Sequence, residues 1–277
     1  MSADRPQDVV PALANPLMNR LRAGELGLSM IVKQVHSVDI AIAAHTAGYD
    51  AINVDLEHSV IPESAAAQIC LLAQQIGVTP LVRVPTHDAH YINRILDAGA
   101  LGIVAPHVES ADDARRVVKA ARFAPHGERS VSSGWPQLGY RKYPAATARQ
   151  LLDDATTVVV MLESPRAIER ADEIAEVPGV DILHVGTSDL CDAMGIPGQF
   201  GHARVAECLA HVVQACRRNG RFAGCGGLGN NPEVMQSMLS LGVRFLTGGN
   251  EWAFMMTEAT RRAQMLRALQ VPTAASG

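Results

Sequence analysis

The chain has 277 residues, 48% of them hydrophobic, which is enough to bury one large core. Its 24 basic and 28 acidic residues give a formal net charge of -4. This balance argues against a nucleic-acid-binding protein, because such proteins need a clustered basic surface. The first residues lack a signal-peptide pattern, and no apolar stretch approaches the roughly 20 residues of a membrane span. The sequence therefore predicts a soluble, cytoplasmic protein without nucleic-acid or membrane partners.

The cysteines give no sign of a disulfide framework or of a metal site. They number five, are widely spaced and include no Cys-x-x-Cys pair. In an intracellular protein this pattern is typical of reduced thiols in or near the core.

Apolar stretches alternate with helical stretches along nearly the whole chain. The apolar stretches are continuous and do not alternate with polar residues, as expected for strands covered on both faces. Eight such strand and helix pairs predict a single (β/α)₈ barrel over residues 1–277. In chain order the predicted strands are LSMIV, YDAINVDL, TPLVRVP, LGIVAPHV, TTVVVMLES, VDILHVGTSDL, RFAGCGG and RFLTGGN, and the last helix is predicted near 251–270.

Two segments lie outside this repeat. Residues 1–20 form a predicted N-terminal extension. Residues 123–150 are rich in Gly, Pro and Ser and form a predicted long loop. Because a long loop in a compact domain is usually functional, this segment is expected on the active-site side of the barrel.

Charged residues follow several of the predicted strands. In a (β/α)₈ barrel the active site lies at the carboxyl ends of the strands. Asp55 and Glu57 are expected to point to opposite sides of the second strand, so that only one faces the interior. The strand-end residues are Asp55, Glu57 and His58 after strand 2, Arg83 in strand 3, Glu163 after strand 5, Asp189 after strand 6, and Gly226-Gly227 and Gly248-Gly249 in strands 7 and 8.

Each of the charged residues has two interpretations on sequence alone. Glu163 and Asp189 suit a hard divalent ion such as Mg²⁺ or Mn²⁺, or they cap the helix and turn that follow them. Arg83, flanked by valines, needs an anion, either a ligand or a neighbouring acid in a structural salt bridge. His58 is a candidate for acid and base catalysis or a packed histidine.

The motifs together resemble the HpcH/HpaI family of metal-dependent (class II) aldolases, which use pyruvate or a related 2-ketoacid. The resemblance extends from about residue 20 to about residue 265. It rests on "NVDLEHS", "PLVRVP", "ILDAGALGIVAPHVESADDAR", "RFAPHGERSV", "MLESPRAIE" and "VGTSDL", in that order.

The resemblance implies a (β/α)₈ barrel that forms a homohexamer, a trimer of dimers, with the eighth helix exchanged between subunits. It implies a divalent cofactor (Mg²⁺, Mn²⁺ or Co²⁺) and cleavage of a 4-hydroxy-2-ketoacid to a 2-ketoacid and an aldehyde. It further implies that Glu163 and Asp189 bind the metal, that Asp55 supports the metal, and that Arg83 contacts the ketone or enolate oxygen. His58 would be catalytic and would be oriented by Asp97, often from a neighbouring subunit. The turn Gly186, Thr187, Ser188 and Asp189 would bind the ketoacid carboxylate.

The chain departs from the family pattern in places that bear on the substrate. Met161 stands where the family often has glutamine. The turn reads Gly186-Thr187-Ser188-Asp189-Leu190-Cys191 in place of Gly-Pro-Ala-Asp-Leu-Ser. The stretches 224–227 and 130–135 also differ. These differences predict a pocket that accepts a larger ketoacid or aldehyde.

Two other functions remain open on sequence alone. One is an acyl-CoA lyase or an enolate-forming decarboxylase on the same barrel, which would need a basic groove for nucleotide phosphates. The only candidates for that groove are Arg141-Lys142 and Arg115-Arg116. The other is a non-catalytic, metal-binding barrel, which the presence of the complete site residues disfavours.

Overall fold

Eight parallel strands close into a barrel in strict chain order. The computed structural model describes residues 13–269. The first and last strands pair with each other, with Leu28 opposite Leu246, so the predicted (β/α)₈ barrel is confirmed. The strands are β1 Gly27–Val32, β2 Ala51–Asp55, β3 Thr79–Arg83, β4 Gly102–Ala105, β5 Thr157–Leu162, β6 Ile182–Gly186, β7 Phe222–Gly226 and β8 Phe245–Asn250.

The helices outnumber the eight predicted ones. Three of the extra helices, α1, α6 and α9, lie outside the predicted repeat, and a break at Arg170 divides the helix predicted over 165–179. None of the helices within residues 13–269 is long and apolar enough to cross a membrane. They are α1 Pro16–Arg22, α2 Asp39–Thr46, α3 Glu63–Gln75, α4 Ala89–Asp97, α5 Ala111–Ala121, α6 Ala145–Ala155, α7 Pro165–Glu169, α8 Ala171–Ala175, α9 Thr187–Ala193, α10 Ala203–Asn219, α11 Pro232–Leu241 and α12 Glu251–Arg267.

Helix α1 closes the amino-terminal end of the barrel. Its Leu17 is fully buried against the barrel interior, where a Cβ on Gly27 would lie 2.5 Å from the leucine Cδ1. The Leu17 N–H donates to Thr79 Oγ1 at 3.0 Å, and Asn15 donates to Thr157 Oγ1 at 2.8 Å. Part of the predicted extension 1–20 is thus integral to the barrel, whereas residues 1–12 lie outside the described residues.

The segment 123–150 lies at this same closed end, which differs from the expected position beside the active site. It follows helix α5 and precedes strand β5, and such a connection meets the amino ends of the strands. Gln137 anchors it there by donating to the Ala100 carbonyl at 3.2 Å and accepting from Gln74 at 2.9 Å. Chain direction therefore places the segment opposite the mouth of its own barrel, and its last residues form the start of α6.

The barrel interior encloses a histidine, His184 of β6. Its ring packs edge-on against Phe245 with centroids 5.5 Å apart, and a Cβ on Gly224 would lie 2.8 Å from Nδ1. Burial, with a smaller contribution from the charge of Arg83, lowers the pKa of His184 to about 3. The imidazole is therefore neutral in the folded protein at neutral pH.

We expect His184 to make the protein less stable as pH falls below the histidine pKa of the unfolded chain, about 6.5. Between that pH and the folded pKa of about 3, the unfolded chain binds a proton that the folded protein excludes. Between pH 7 and pH 5 this linkage removes about 2 kcal/mol of unfolding free energy. His184→Gln should lose this component, seen as a smaller change in the urea midpoint at constant protein concentration. Equal pH dependence in both proteins would contradict the assignment.

Candidate active site

A cavity of about 300 Å³ opens at the carboxyl ends of the strands. It is the place where a (β/α)₈ barrel carries its chemistry. Most of the predicted site residues line it, although they come from four different strand ends. Those that line it are His58, Arg83, Glu163, Gly186, Thr187, Ser188 and Asp189.

Arg83 is held by two carboxylates. Its Nε and Nη2 donate to the two oxygens of fully buried Asp55 at 2.9 and 2.5 Å, and its Nη1 lies 3.0 Å from Glu57 Oε2. Burial alone would raise the pKa of Asp55, but the hydrogen bonds and charge of Arg83 bring it below its usual value. Burial likewise opposes the charge of Arg83, yet Asp55 and Glu57 raise its pKa. The guanidinium is thus fixed in one orientation, and the salt bridge considered from sequence is present.

Asp55 and Glu57 both face Arg83, so the expectation that they point to opposite sides is wrong. Side chains two residues apart in a strand point to the same face, so alternation alone gives no reason to separate this pair. Strand β2 itself ends at Asp55. The chain then turns, and the N–H groups of Glu57 and His58 donate to Asp55 Oδ1, each at 3.1 Å. In this turn Glu57 lies on the same side as the guanidinium.

Glu163 is buried at the end of β5 with an unusual charge environment. His107 donates its backbone N–H to Oε2 at 2.9 Å. Burial raises the pKa of Glu163, His107 lowers it, and the charges of Asp189 and Glu57 raise it again, so that it lies above its usual value. The other oxygen, Oε1, would lie 2.7 Å from a Cβ on Gly186, so only glycine fits beside it.

Neither acidic residue acts as a helix cap, the alternative role considered from sequence. Helix α7 is capped by Ser164, whose Oγ accepts the Ala167 N–H at 3.1 Å. Helix α9 begins after Gly186, which has no side chain, and Asp189 lies within its first turn. Neither carboxylate is therefore occupied by a capping hydrogen bond among the described residues.

The residues present fit a divalent metal ion. The repulsion of Asp189 contributes to the raised pKa of Glu163, and a dication would relieve it. Among the residues that the structure describes, no group of three or more His, Cys, Asp or Glu side chains has metal-binding geometry. The protein would therefore supply two carboxylates, leaving the other positions to water or substrate oxygens, as Mg²⁺ sites commonly do.

His107 is a site residue that was not expected from the sequence. Its Nε2 lies 2.9 Å from Glu57 Oε1 and its Nδ1 3.1 Å from Glu163 Oε2, so it bridges two acids of the mouth. Its φ of 52° is in the left-handed region, which is uncommon for residues other than glycine and is often found at functional sites. Its place after β4, as a polar residue at a strand end, was an available signal.

His58 and Asp97 lie at opposite ends of the barrel. His58 is at the rim, with a side chain 56% exposed and Nε2 3.6 Å from Glu57 Oε2. Asp97 is the last residue of α4, where the helix reaches the amino ends of the strands, and it accepts from Arg129 at 2.8 Å. The structure therefore does not bring this pair together within one chain.

The turn after β6 packs closely against the end of β7. Thr187 Oγ1 donates to the Gly226 carbonyl. Gly227 has a φ of 77°, and a Cβ there would lie 2.6 Å from Ser188 Oγ, so the turn requires glycine as its neighbour. At the start of α9 the backbone N–H groups have no partner in the helix and border the cavity.

The closed barrel and the acidic and basic side chains at its mouth define a (β/α)₈-barrel enzyme. The chain belongs to the HpcH/HpaI aldolase/citrate lyase family, which it matches over residues 30–252. This membership confirms the resemblance found in the sequence. As predicted, the protein is a carbon–carbon lyase.

Its relatives include several aldolases. The chain is 40% identical to the 4-hydroxy-4-methyl-2-oxoglutarate aldolase tasA of Hapsidospora irregularis, over 85% of this chain and 88% of the relative. It is 30% identical to the 2-keto-3-deoxy-L-rhamnonate aldolase of Escherichia coli, over 86% and 87%. The crystal structure of the HpcH/HpaI aldolase from Desulfitobacterium hafniense superposes with a TM-score of 0.87 at 29% identity, over 93% and 98% of the chains.

Proposed function

We propose that the protein reversibly cleaves a 4-hydroxy-2-ketoacid to pyruvate, or a related 2-ketoacid, and an aldehyde or similar carbonyl compound. The observation that carries the proposal is the placement of Arg83 in the same cavity as Glu163 and Asp189. The aldolase names of the relatives, two of which are 4-hydroxy-4-methyl-2-oxoglutarate aldolases at 40% and 37% identity, support this class of substrate.

Glu163 and Asp189 are proposed to hold a divalent ion (Mg²⁺, Mn²⁺ or Co²⁺). When bound, such an ion supplies a Lewis acid that lowers the energy of an enolate. The raised pKa of Glu163, to which burial and then the neighbouring acids contribute, supports a cation at this position. Asp55 supports the site by accepting two hydrogen bonds from Arg83, which orient the guanidinium.

Arg83 is proposed to donate to the substrate oxygen on which negative charge develops. A donor that is already oriented stabilises such charge without reorganisation. The bidentate contact with Asp55 and the contact with Glu57 supply that orientation.

Two further groups complete the proposed site. His58, at the rim beside Glu57, exchanges a proton with the C4 hydroxyl. The ketoacid carboxylate is received by the N–H groups of the turn 186–189, which are free of helix partners. Orientation of His58 by Asp97 requires the aspartate of another subunit and stays a prediction.

The alternative of an acyl-CoA lyase is disfavoured by the positions of the basic residues. Arg115 and Arg116 pair with acids of their own helix, α5. Arg141 and Lys142 belong to the segment at the closed end of the barrel. Neither pair borders the cavity, whose basic lining residues within 13–269 are Lys33 and Arg83 besides histidines. The described residues of the mouth therefore form no basic groove for a nucleotide phosphate.

The assembly and location predicted from sequence stay predictions. Helix α12 has no buried residue between 251 and 267. It exposes large apolar side chains, which supports its exchange between subunits of a homohexamer. The exposed side chains include Trp252, Phe254, Met255 and Met256.

We expect the purified protein, supplied with Mg²⁺, Mn²⁺ or Co²⁺, to exchange the methyl protons of pyruvate for solvent deuterium. Formation of an enolate requires removal of one of these protons, and proton NMR follows the loss of the methyl signal. Chelation with EDTA should abolish exchange and fresh metal should restore it. Metal and pyruvate without protein form the control. Absence of exchange with all three metals, for pyruvate and for its close analogues, would refute the proposed function.

A further inference from the structure

A second cavity adjoins the first and leaves room for a substituent larger than a methyl group. It has a volume of about 710 Å³ and lies between helix α12 and the loops after β6 and β7. Lys33 and Ser188 line both cavities. A ligand seated at Arg83 therefore passes these two side chains as it extends outward.

Lys33 is the cation at the junction of the two cavities. It is the first residue after β1, and its Nζ lies 3.5 Å from Asp55 Oδ2. That carboxylate is already bound by Arg83 at 2.9 and 2.5 Å. An ammonium group has three donors, and within residues 13–269 this one long contact is the only ion pair that Lys33 makes. Lys33 thus retains donors for an anionic ligand.

The backbone that carries Lys33 is fixed by a carboxylate at the start of α12. Glu251 Oε1 accepts the N–H groups of Lys33, Gln34 and Val35 at 2.7, 2.5 and 3.1 Å. Three hydrogen bonds to one oxygen tie this loop to the start of α12. The base of the lysine side chain is therefore in position before a ligand binds, which lowers the entropy cost of binding.

We propose that Lys33 binds a second carboxylate of the substrate, carried on C4. This inference rests on the proposed function and narrows it to 4-hydroxy-2-oxo dicarboxylates. In the cleavage the C3–C4 bond breaks and its electron pair remains on C3, which is then protonated to the methyl group of the first 2-ketoacid. The C4 hydroxyl loses its proton and becomes the ketone of a second 2-ketoacid. The carbonyl product is thus itself an anion.

The experiment compares two substrates that differ only at C4. The first is 4-hydroxy-4-methyl-2-oxoglutarate and the second is 4-hydroxy-4-methyl-2-oxopentanoate, in which a methyl group replaces the C4 carboxylate. We expect the wild type to prefer the dicarboxylate in kcat/KM by at least about tenfold, because only its C4 carboxylate can form a charged hydrogen bond with Lys33. Lys33→Met should reduce this preference about 10- to 100-fold, and Lys33→Arg should keep most of it.

The controls separate this inference from the proposed function. Lys142→Met changes an exposed lysine at the closed end and should leave the preference as in the wild type. If the wild type cleaves both substrates equally, or Lys33→Met slows both by the same factor while its thermal unfolding is normal, the inference is refuted and the aldolase function stands. If the wild type cleaves neither substrate and exchanges no pyruvate protons, the proposed function fails and the inference with it.

Discussion

Glu163→Gln is expected to remove most of the metal-dependent activity while leaving the fold intact. Glutamine keeps the shape of the side chain. Its oxygen can still accept the His107 N–H, which donates to Glu163 at 2.9 Å in the wild type, but the negative charge is lost. Loss of the Lewis acid should lower the exchange rate by about 10²- to 10³-fold. Mn²⁺ should raise the unfolding temperature of the wild type but not of the variant.

A neighbouring acid provides the matched control. Glu109 accepts the Ser164 hydroxyl at 2.7 and 2.8 Å and does not line the cavity. Glu109→Gln should therefore keep both the metal-induced stabilisation and the exchange. Equal stabilisation of Glu163→Gln and wild type by Mn²⁺ would show that Glu163 is not a metal ligand.

Arg83→Met is expected to impair stability and catalysis together. Removal of the guanidinium leaves the fully buried Asp55 with Lys33, at 3.5 Å, as the one other cation that contacts it within residues 13–269. Breaking a buried ion pair in this way costs about 3–5 kcal/mol of unfolding free energy. Loss of the oriented donor should slow pyruvate exchange by about 10²- to 10³-fold. Urea unfolding and NMR exchange measure the two effects.

A second substitution separates the two effects. In the double variant Asp55→Asn, Arg83→Met the buried charge is absent, so stability should return towards the wild-type value while exchange stays lost. Mn²⁺ should still stabilise Arg83→Met, because the two proposed metal ligands, Glu163 and Asp189, are unchanged. Arg94→Met removes an exposed pair with Glu63, 2.7 Å apart, and should cost no more than about 1 kcal/mol. Exchange within tenfold of the wild type in Arg83→Met would remove Arg83 from the proposed mechanism.

The sequence was sufficient for the barrel and for the residues attached directly to strand ends. Continuous apolar runs identify strands covered on both faces, and the carboxyl ends of parallel strands meet at one edge. Arg83 and Glu163 were therefore placed at the mouth by position alone. The roles of these residues follow from the resemblance to the family and stay predictions.

Contacts that depend on turns were missed. Glu57 was placed at the mouth, but its contact with Arg83 was not expected, and it is made from the turn after Asp55. His107 contacts two acids from a left-handed backbone conformation. Neither conformation has a signature in the residue types alone. The segment 123–150 was different, because chain order itself, a helix before it and a strand after it, indicates the closed end. The expected position beside the active site was based on the length of the loop, whereas the direction of the chain indicates the closed end of the barrel.

The single oxygen of Glu251 that holds three amides ties the C-terminal helix to the entrance of the barrel. The rest of that helix has no buried side chain and adds nothing to the buried core of the monomer. A domain boundary drawn before residue 251 would nevertheless release the loop that carries Lys33 at the edge of the cavity. Shortened versions of this enzyme should therefore keep the start of α12.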